Sequence, residues 1–308
     1  MKTPLISVVS PVYKAGHIVE ELAERIIASV GAITDDFEIV LVDDNSPDNS
    51  WEAIKSVCQK HKFIKGLKLS RNFGQQHATQ AGLDASSGEY VVTMDCDLQD
   101  RPEEIVNLYQ KALEGFDIVI ASRKNRKDDF LKILFSKLFN KMLGFLTETN
   151  QDSSVANFVL YNRKVVNALA QVHDNHRYYP MLIQWVGFNS AKLPIEHAER
   201  EEGVSSYNFK ARMQLAFNTI LTFSDKPLRL SVKFGIFVSF LALLLAISLI
   251  IIHFFSSIQV AGWSSLAVLL TFFSGIIISV LGMVGLYVGK TFESVKDRPT
   301  YILQETIN

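Results

Sequence analysis

Short apolar runs and longer amphipathic stretches alternate through the first part of the chain. Leu5–Val9, Phe37–Val42 and Tyr90–Thr93 are rich in β-branched and aromatic residues, and with Ile64–Leu69 they have the length of strands. Between them, Ile18, Val19, Leu22, Ile26, Ile27 and Val30 recur at helical spacing, Trp51–Lys60 reads as a second helix, and a third runs through Ala78 and Leu83. Glu103–Leu113 then reads as a helix and Asp117–Ala121 as a strand. This alternation predicts an α/β fold with a mostly parallel, Rossmann-like sheet, whose ligands bind beyond the carboxyl ends of the strands.

Two acid clusters fall at such ends. Asp43-Asp44-Asn45-Ser46-Pro47-Asp48-Asn49-Ser50 follows the second strand, and Asp95-Cys96-Asp97-Leu98-Gln99-Asp100 follows the fourth. In an extended chain Asp95, Asp97 and Gln99 share one side while Cys96 takes the other. Their hard oxygen donors suit Mg²⁺ or Mn²⁺ holding a diphosphate. The competing reading of both clusters is turn chemistry, with Asp100 as an N-cap ahead of Pro102 and Glu103. One acid pair for a base or ribose and a second for a metal diphosphate is the logic of a nucleotide-sugar site. No P-loop competes, because Gly289-Lys290-Thr291 has Val284 where the motif needs glycine.

The character of the chain changes after Ala121. Arg123–Lys127 is basic, and Phe130–Leu146 is densely apolar with Lys132, Lys137 and Lys141 along it. This stretch reads either as a linker and buried helix or as a helix lying on an anionic membrane surface. Asn157–Tyr161, Arg163–Leu169, Tyr178–Val186 and Ser190–Glu196 return to globular patterning. The loop His197–Tyr207 carries Arg200 with Gly203 and Ser205, which reads as a phosphate clamp or as a plain loop. Asn208–Phe223 is a second candidate interfacial helix.

Gly235–Phe255 and Ser264–Val288 contain no charged residue, and each is long enough to span a bilayer. Lys226, Arg229 and Lys233 precede the first, and Lys290, Lys296 and Arg298 follow the second, so both termini are expected in the cytosol. The expected organisation is a catalytic domain over 1–207, with an interfacial helix at 130–146. A juxtamembrane helix over 208–229, two transmembrane helices over 230–290 and a cytosolic tail over 291–308 follow. Gly282, Gly285 and Gly289 form a small-residue face on which the second span could pack against a neighbouring copy.

Composition adds three constraints. A formal net charge of −1 argues against nucleic acid as a partner. The two cysteines, Cys58 and Cys96, show no pairing pattern and suit a reducing compartment. Met1-Lys2-Thr3-Pro4 leads into a strand without the apolar core of a signal peptide.

In order and spacing, Ser7–Tyr13, Val42–Ser46, Arg71-Asn72-Phe73-Gly74, Met94–Asp100, Trp185-Val186-Gly187-Phe188, Gly203–Tyr207 and Phe223–Arg229 together resemble family 2 glycosyltransferases of the GT-A fold. The resemblance points to the polyprenyl-phosphate branch, which includes dolichol-phosphate mannose synthases and bactoprenol glucosyltransferases. It implies transfer of a sugar, with inversion, from a UDP- or GDP-linked donor to undecaprenyl or dolichyl phosphate. The reaction would take place on the cytosolic face of a membrane, the bacterial inner membrane for a bacterial chain.

By the same resemblance Pro11, Tyr13, Asp43, Asp44 and Asp95 meet the nucleotide, while Asp95, Asp97 and Gln99 hold the cation. Arg123, Arg126, Ser205 and Tyr207 meet phosphates of donor or acceptor, and the catalytic set is Asp97, Asn157 and Arg200. Two departures stand out: Lys14-Ala15 replaces the common Asn-Glu, and Asn157-Phe158-Val159-Leu160 replaces Asp-Phe-Arg-Leu. Asn157 cannot act as a general base. A phosphate monoester, with its second pKa of about 6, is already largely ionised and needs none. The rivals are a polysaccharide synthase, whose Gln-x-x-Arg-Trp motif is reduced here to Gln184-Trp185, and a non-catalytic nucleotide-sugar-binding membrane protein.

Overall fold

The computed structural model describes residues 3–123, 144, 155–172, 177–195, 224–255, 262–296 and 298–308. The chain forms two compact units, one of 1–140, 151–206 and 298–308, the other of 141–150 and 207–297.

The first unit is built on an eight-stranded sheet of order β7-β5-β6-β4-β1-β2-β3-β8. Its strands are β1 (Ile6–Val12), β2 (Phe37–Asp43), β3 (Ile64–Leu69), β4 (Tyr90–Thr93), β5 (Ile118–Arg123), β6 (Val155–Asn162), β7 (Ser190–Ile195) and β8 (Leu303–Ile307). The helices are α1 (Val19–Gly31), α2 (Ser50–Lys60), α3 (Gln75–Ala85), α4 (Ile105–Leu113), α5 (Arg163–Ala170) and α6 (Tyr179–Val186). Strands β1 to β4 pair in parallel, while β6 runs antiparallel to β4 and β5 and β8 antiparallel to β3.

The chain steps outward from β1 to β3, then returns to place β4 on the other side of β1. That reversal opens a crevice beyond the ends of β1 and β4. The antiparallel insertion of β6 matters for the crevice. Val159 pairs with Thr93, so the beginning of β6, with Asn157, lies beside the end of β4.

Every residue of β1 is buried, because helices cover both faces of the sheet, which explains the nearly continuous apolar run. Ile6, Val8 and Val12 pack in one core cluster with Leu22 and Ile26 of α1 and Ile54 of α2. Each such side chain contributes about 1.5–3 kcal/mol of transfer free energy. On the other face α3 lies against β1 at Gly82, where a Cβ would come within 2.2 Å of Val9 Cγ1. Only glycine permits that approach.

The tail expected over 291–308 is not a free extension. Helix continues to Val295, and Leu303–Ile307 adds the outermost strand to the sheet. Trp51 Nε1 donates to Glu305 Oε2 at 3.1 Å, and Asn308 Nδ2 donates to the carbonyls of Cys58 and Ile64 at 2.9 and 2.8 Å. Five polar and apolar residues without flanking turn signals carry too little periodicity to announce a strand.

The second unit contains α7 (Lys226–Phe255) and α8 (Trp263–Val295), of 30 and 33 residues. Both expected apolar spans are helical, and each helix extends beyond its uncharged stretch. Among the described residues one stretch, Phe272–Val295, is long and apolar enough to cross a membrane. Phe237 and Phe240 of α7 and Ile278 and Leu281 of α8 are exposed, as expected of helices that are apolar all round. Ser231 Oγ donates to Met283 Sδ, and Tyr287 Oη to the Ser224 carbonyl, tying the two helices together. The expected interfacial helix at 130–146, apart from Gly144, and that at 208–223 lie outside the described residues.

At the end of the sheet opposite the crevice, the buried Glu38 carboxylate accepts from Ser7 Oγ, Ser87 N and Ser87 Oγ and pairs with Lys65 at 2.7 Å. Burial pushes this carboxyl up, but the Lys65 ammonium and the serine donors outweigh it and hold its pKa below 4.5. A depressed carboxyl stabilises the fold above its unfolded pKa and loses that contribution as pH falls through the folded value. Glu38→Gln is expected to cost about 2 kcal/mol at neutral pH, with the difference from the native chain shrinking below pH 4.5. Denaturant melts across pH 3 to 7, taken as an approximate window, check this; a pH-independent difference contradicts it.

Candidate active site

Strand β4 stops at Thr93, and Met94–Asp100 turns instead of continuing extended. Leu98 takes a left-handed φ of 55°, and Gln99 N donates to Asp97 Oδ1 at 3.2 Å. The expected extended alternation of Asp95, Asp97 and Gln99 is therefore replaced by a local turn. Nor is Asp100 the helix cap. Arg101 occupies that position ahead of Pro102–Glu104, without a side-chain capping bond, and Asp100 is buried.

Asp95 is gripped from two sides. Gln75 Nε2, at the start of α3, donates to its Oδ1 at 2.6 Å, and Asn157 Nδ2, at the start of β6, donates to its Oδ2 at 3.2 Å. Burial, with the negative charges of Asp100 and Asp97 adding, pushes the Asp95 carboxyl up to about 6, while the two amides oppose the rise. Asn157 thus supports a carboxylate instead of adding another to the crowd.

The first acid cluster reaches the second through backbone. Asp44 is 3% exposed, and its two oxygens accept from Phe73 N at 2.7 Å and Gly74 N at 2.9 Å. Gly74 immediately precedes α3, so Asp44 anchors the loop that delivers Gln75 to Asp95. Asp43 is fully buried and accepts from Ser46 N at 3.1 Å. Burial raises the pKa of both groups, against the donors each one accepts from.

The Lys14-Ala15 departure is absorbed by main chain. Lys14 N, Ala15 N and Gly16 N donate to Ser46 Oγ, Ser50 Oγ and Asp48 Oδ2, lacing the loop after β1 to the loop after β2. A Cβ on Gly16 would press on backbone, 3.0 Å from Ser50 N and 3.1 Å from Asn49 C, so this lacing favours glycine. Tyr13 stands 44% exposed above the laced loops with the Lys14 ammonium 5.5 Å from its ring centre.

A pocket opens beside Asp95. Pro11, Thr93, Met94, Asp95 and Asn157 line one part, Gln75, Gln76 and Thr79 of α3 another, and Val159, Tyr161, Tyr179, Pro180 and Ile183 the apolar remainder. Of the residues expected from sequence, the pocket gathers Pro11, Asp95 and Asn157. Asp97 and Gln99 sit in the adjoining turn, and Asp43 and Asp44 lie beneath the loops. Arg123 is the last residue of β5, while Arg126, Arg200, Ser205 and Tyr207 lie outside the described residues. The contributions of Gln75, Thr79 and Tyr179 were not legible, because amide and hydroxyl side chains on helices carry no periodic signal.

Among the described residues no three His, Cys, Asp or Glu side chains converge as a ready metal cage. Mg²⁺ and Mn²⁺ sites of the nucleotide type are built from one or two carboxylates with substrate phosphates, not from a closed protein cage. Asp95 and Asp97, two carboxylates in one turn beside the pocket, fit such a shared site.

A carboxyl raised in the folded state from 3.8 to about 6 stabilises the fold when protonated, and that contribution disappears as pH rises through 6. Asp95→Asn is therefore expected to stabilise the cation-free protein by about 2 kcal/mol at neutral pH, with the gain shrinking toward pH 4. Melts in chelator test this; a variant less stable than the native chain at neutral pH contradicts it.

Residues 7–221 match the family model described as glycosyl transferase family 2. The chain is 33% identical over 301 residues to the uncharacterized glycosyltransferase YkcC of Bacillus subtilis (strain 168), covering 97% of this chain and 93% of the relative. It is 32% identical over 305 residues to the undecaprenyl-phosphate 4-deoxy-4-formamido-L-arabinose transferase of Proteus mirabilis (strain HI4320), covering 98% and 94%. The fold is shared with glucosyl-3-phosphoglycerate synthase from Mycobacterium tuberculosis, at a TM-score of 0.51 and 16% identity over 71% of this chain and 79% of that one. With the family model matched over more than half of its length and relatives above 30% identity over nearly all of it, the chain belongs to glycosyl transferase family 2.

Proposed function

We propose that this glycosyltransferase moves a sugar from a UDP- or GDP-linked donor to a polyprenyl phosphate at the cytosolic face of a membrane. The observation that carries the reading is Asp95, held by Gln75 and Asn157 at the mouth of a pocket beside Asp97. The naming of full-length relatives such as the Proteus enzyme as undecaprenyl-phosphate transferases supports the acceptor class.

The loops after β1 and β2, with Pro11, Tyr13, Asp43 and Asp44, lie where a nucleoside would dock. Asp95, Asp97 and Gln99 would hold Mg²⁺ or Mn²⁺ on the donor diphosphate, and the cation would supply Lewis-acid stabilisation of the leaving group. An acceptor phosphate oxygen attacks the anomeric carbon as the bond to the nucleoside diphosphate breaks, and the departing oxygen keeps the electron pair. No proton has to be removed from the acceptor, so a neutral Asn157 suffices to orient Asp95 and a sugar or acceptor oxygen. Arg123, Arg126, Arg200, Ser205 and Tyr207 are assigned to the phosphates by family resemblance. Trp185 is 72% exposed and is not among the residues lining the pocket, which disfavours the polymer-synthase reading of Gln184-Trp185.

Chain connectivity supports the membrane arrangement. Residues 151–206 and 298–308 belong to one folded unit, in which β8 pairs with β3 of the sheet that holds β1. Both stretches must then lie on one side of the membrane, and the segment between them crosses an even number of times. If α8 spans, α7 spans as well, with the flanking lysines and arginines in the cytosol.

Membranes containing the chain are expected to convert labelled UDP- or GDP-sugar and undecaprenyl phosphate to chloroform-soluble label. Asp97→Asn should lower that rate at least about 100-fold while the protein stays in the pellet after a carbonate wash. Label appearing in polymer, or binding without transfer, overturns the reading.

A further inference from the structure

Behind the apolar wall of the pocket lies a run of polar groups that the acid cluster does not use. Gln80 of α3 is 2% exposed, and its Oε1 accepts from Tyr179 Oη at 2.8 Å and Arg177 Nη1 at 2.6 Å. Its Nε2 donates to Asp84 Oδ1 at 2.6 Å, and Asp84 Oδ2 accepts from Tyr301 Oη at 2.9 Å. An amide has one accepting and one donating end, so this set of partners fixes which way Gln80 faces. If it flipped, its NH₂ would meet the buried Arg177 guanidinium, which has donors only.

The two ends of this chain of bonds belong to different parts of the sequence. Tyr179 lines the pocket and opens α6, which also supplies Pro180 and Ile183. Tyr301 belongs to the segment that follows α8. That segment is seated on its own account: Ser70 N donates to the Ile302 carbonyl at 2.9 Å, and β8 pairs with β3.

We propose that the C-terminal segment sets the shape of the pocket wall, with Tyr301, Asp84 and Gln80 as positioning residues that hold Tyr179 and α6 for substrate. The inference rests on the pocket being the transferase's substrate site. Tyr301 touches neither the acids nor the reacting atoms, so its loss acts on binding more than on the chemical step.

The test is Tyr301→Phe in the full-length protein, which keeps the ring and removes only the hydroxyl. The expected result is a KM for the pocket's substrate raised about fivefold, the equivalent of one hydrogen bond, with kcat kept within about twofold. A second readout does not depend on turnover. Amides of 179–186 should exchange with deuterium about fivefold faster in the variant, while those of β1 and β2 are unchanged.

A fall in kcat at unchanged KM means a merely structural role and overturns the proposal, as does faster exchange with an unaltered KM. Unchanged exchange in 179–186 overturns it regardless of kinetics. If the native chain transfers no sugar to polyprenyl phosphate, the functional reading fails by itself, and the exchange experiment still decides whether the tail holds the wall.

Discussion

The structure of the site depends on keeping a carboxylate where carboxylates repel. Asp95 sits near Asp97 and Asp100, and burial, with their negative charges adding, raises its pKa to about 6. Two amides from separate elements hold it in place, Gln75 from α3 and Asn157 from β6. Gln75 is itself delivered by the loop that Asp44 grips through the amides of Phe73 and Gly74. The two acid clusters are therefore one mechanical system, in which the first orients a support for the second. A preorganised negative edge of this kind stores an electrostatic penalty that a bound cation relieves, and it needs no rearrangement when the diphosphate arrives.

That arrangement also gives the Asn157 departure a physical sense. Another carboxylate at this position would stand about one hydrogen bond from Asp95 and raise the repulsion further. An amide supplies a donor instead. With the proposed acceptor, already an anion, the chain would give up a base it does not need and gain a firmer grip on the carboxylate proposed to meet the leaving group. The C-terminal segment extends the same theme beyond the acids. By completing the sheet it returns the chain to the unit it left, and by bonding to Asp84 it reaches the helix whose first turn carries Gln75.

Much of this was legible in the sequence. Nearly continuous apolar runs marked β1, β2 and β4, because strands covered on both faces need no polar alternation. Asx-rich ends of those runs marked the sheet edge where the pocket opens. The turn at Met94–Asp100 was not legible, because a left-handed Leu98 has no residue-type signature and D-x-D reads equally well as extended. Nor was β8, whose Leu303–Ile307 owes its place to an open edge on β3 and to Trp51, both supplied by distant sequence. The amides of Gln75 and Gln80 were invisible for a similar reason. Their roles arise from partners 20 and 97 to 99 positions away, which local pattern does not encode.

The central claim is that the acidic edge holds a divalent cation jointly with a nucleoside diphosphate. The most direct test is titration of Mn²⁺ into the purified protein, followed by its electron paramagnetic resonance signal, with and without UDP or GDP. The account predicts weak binding to the protein alone and binding tighter by at least about tenfold when the matching diphosphate is present. It also predicts that this gain is lost in Asp97→Asn. Equal Mn²⁺ affinity with and without either diphosphate, or an undiminished gain in Asp97→Asn, would contradict it.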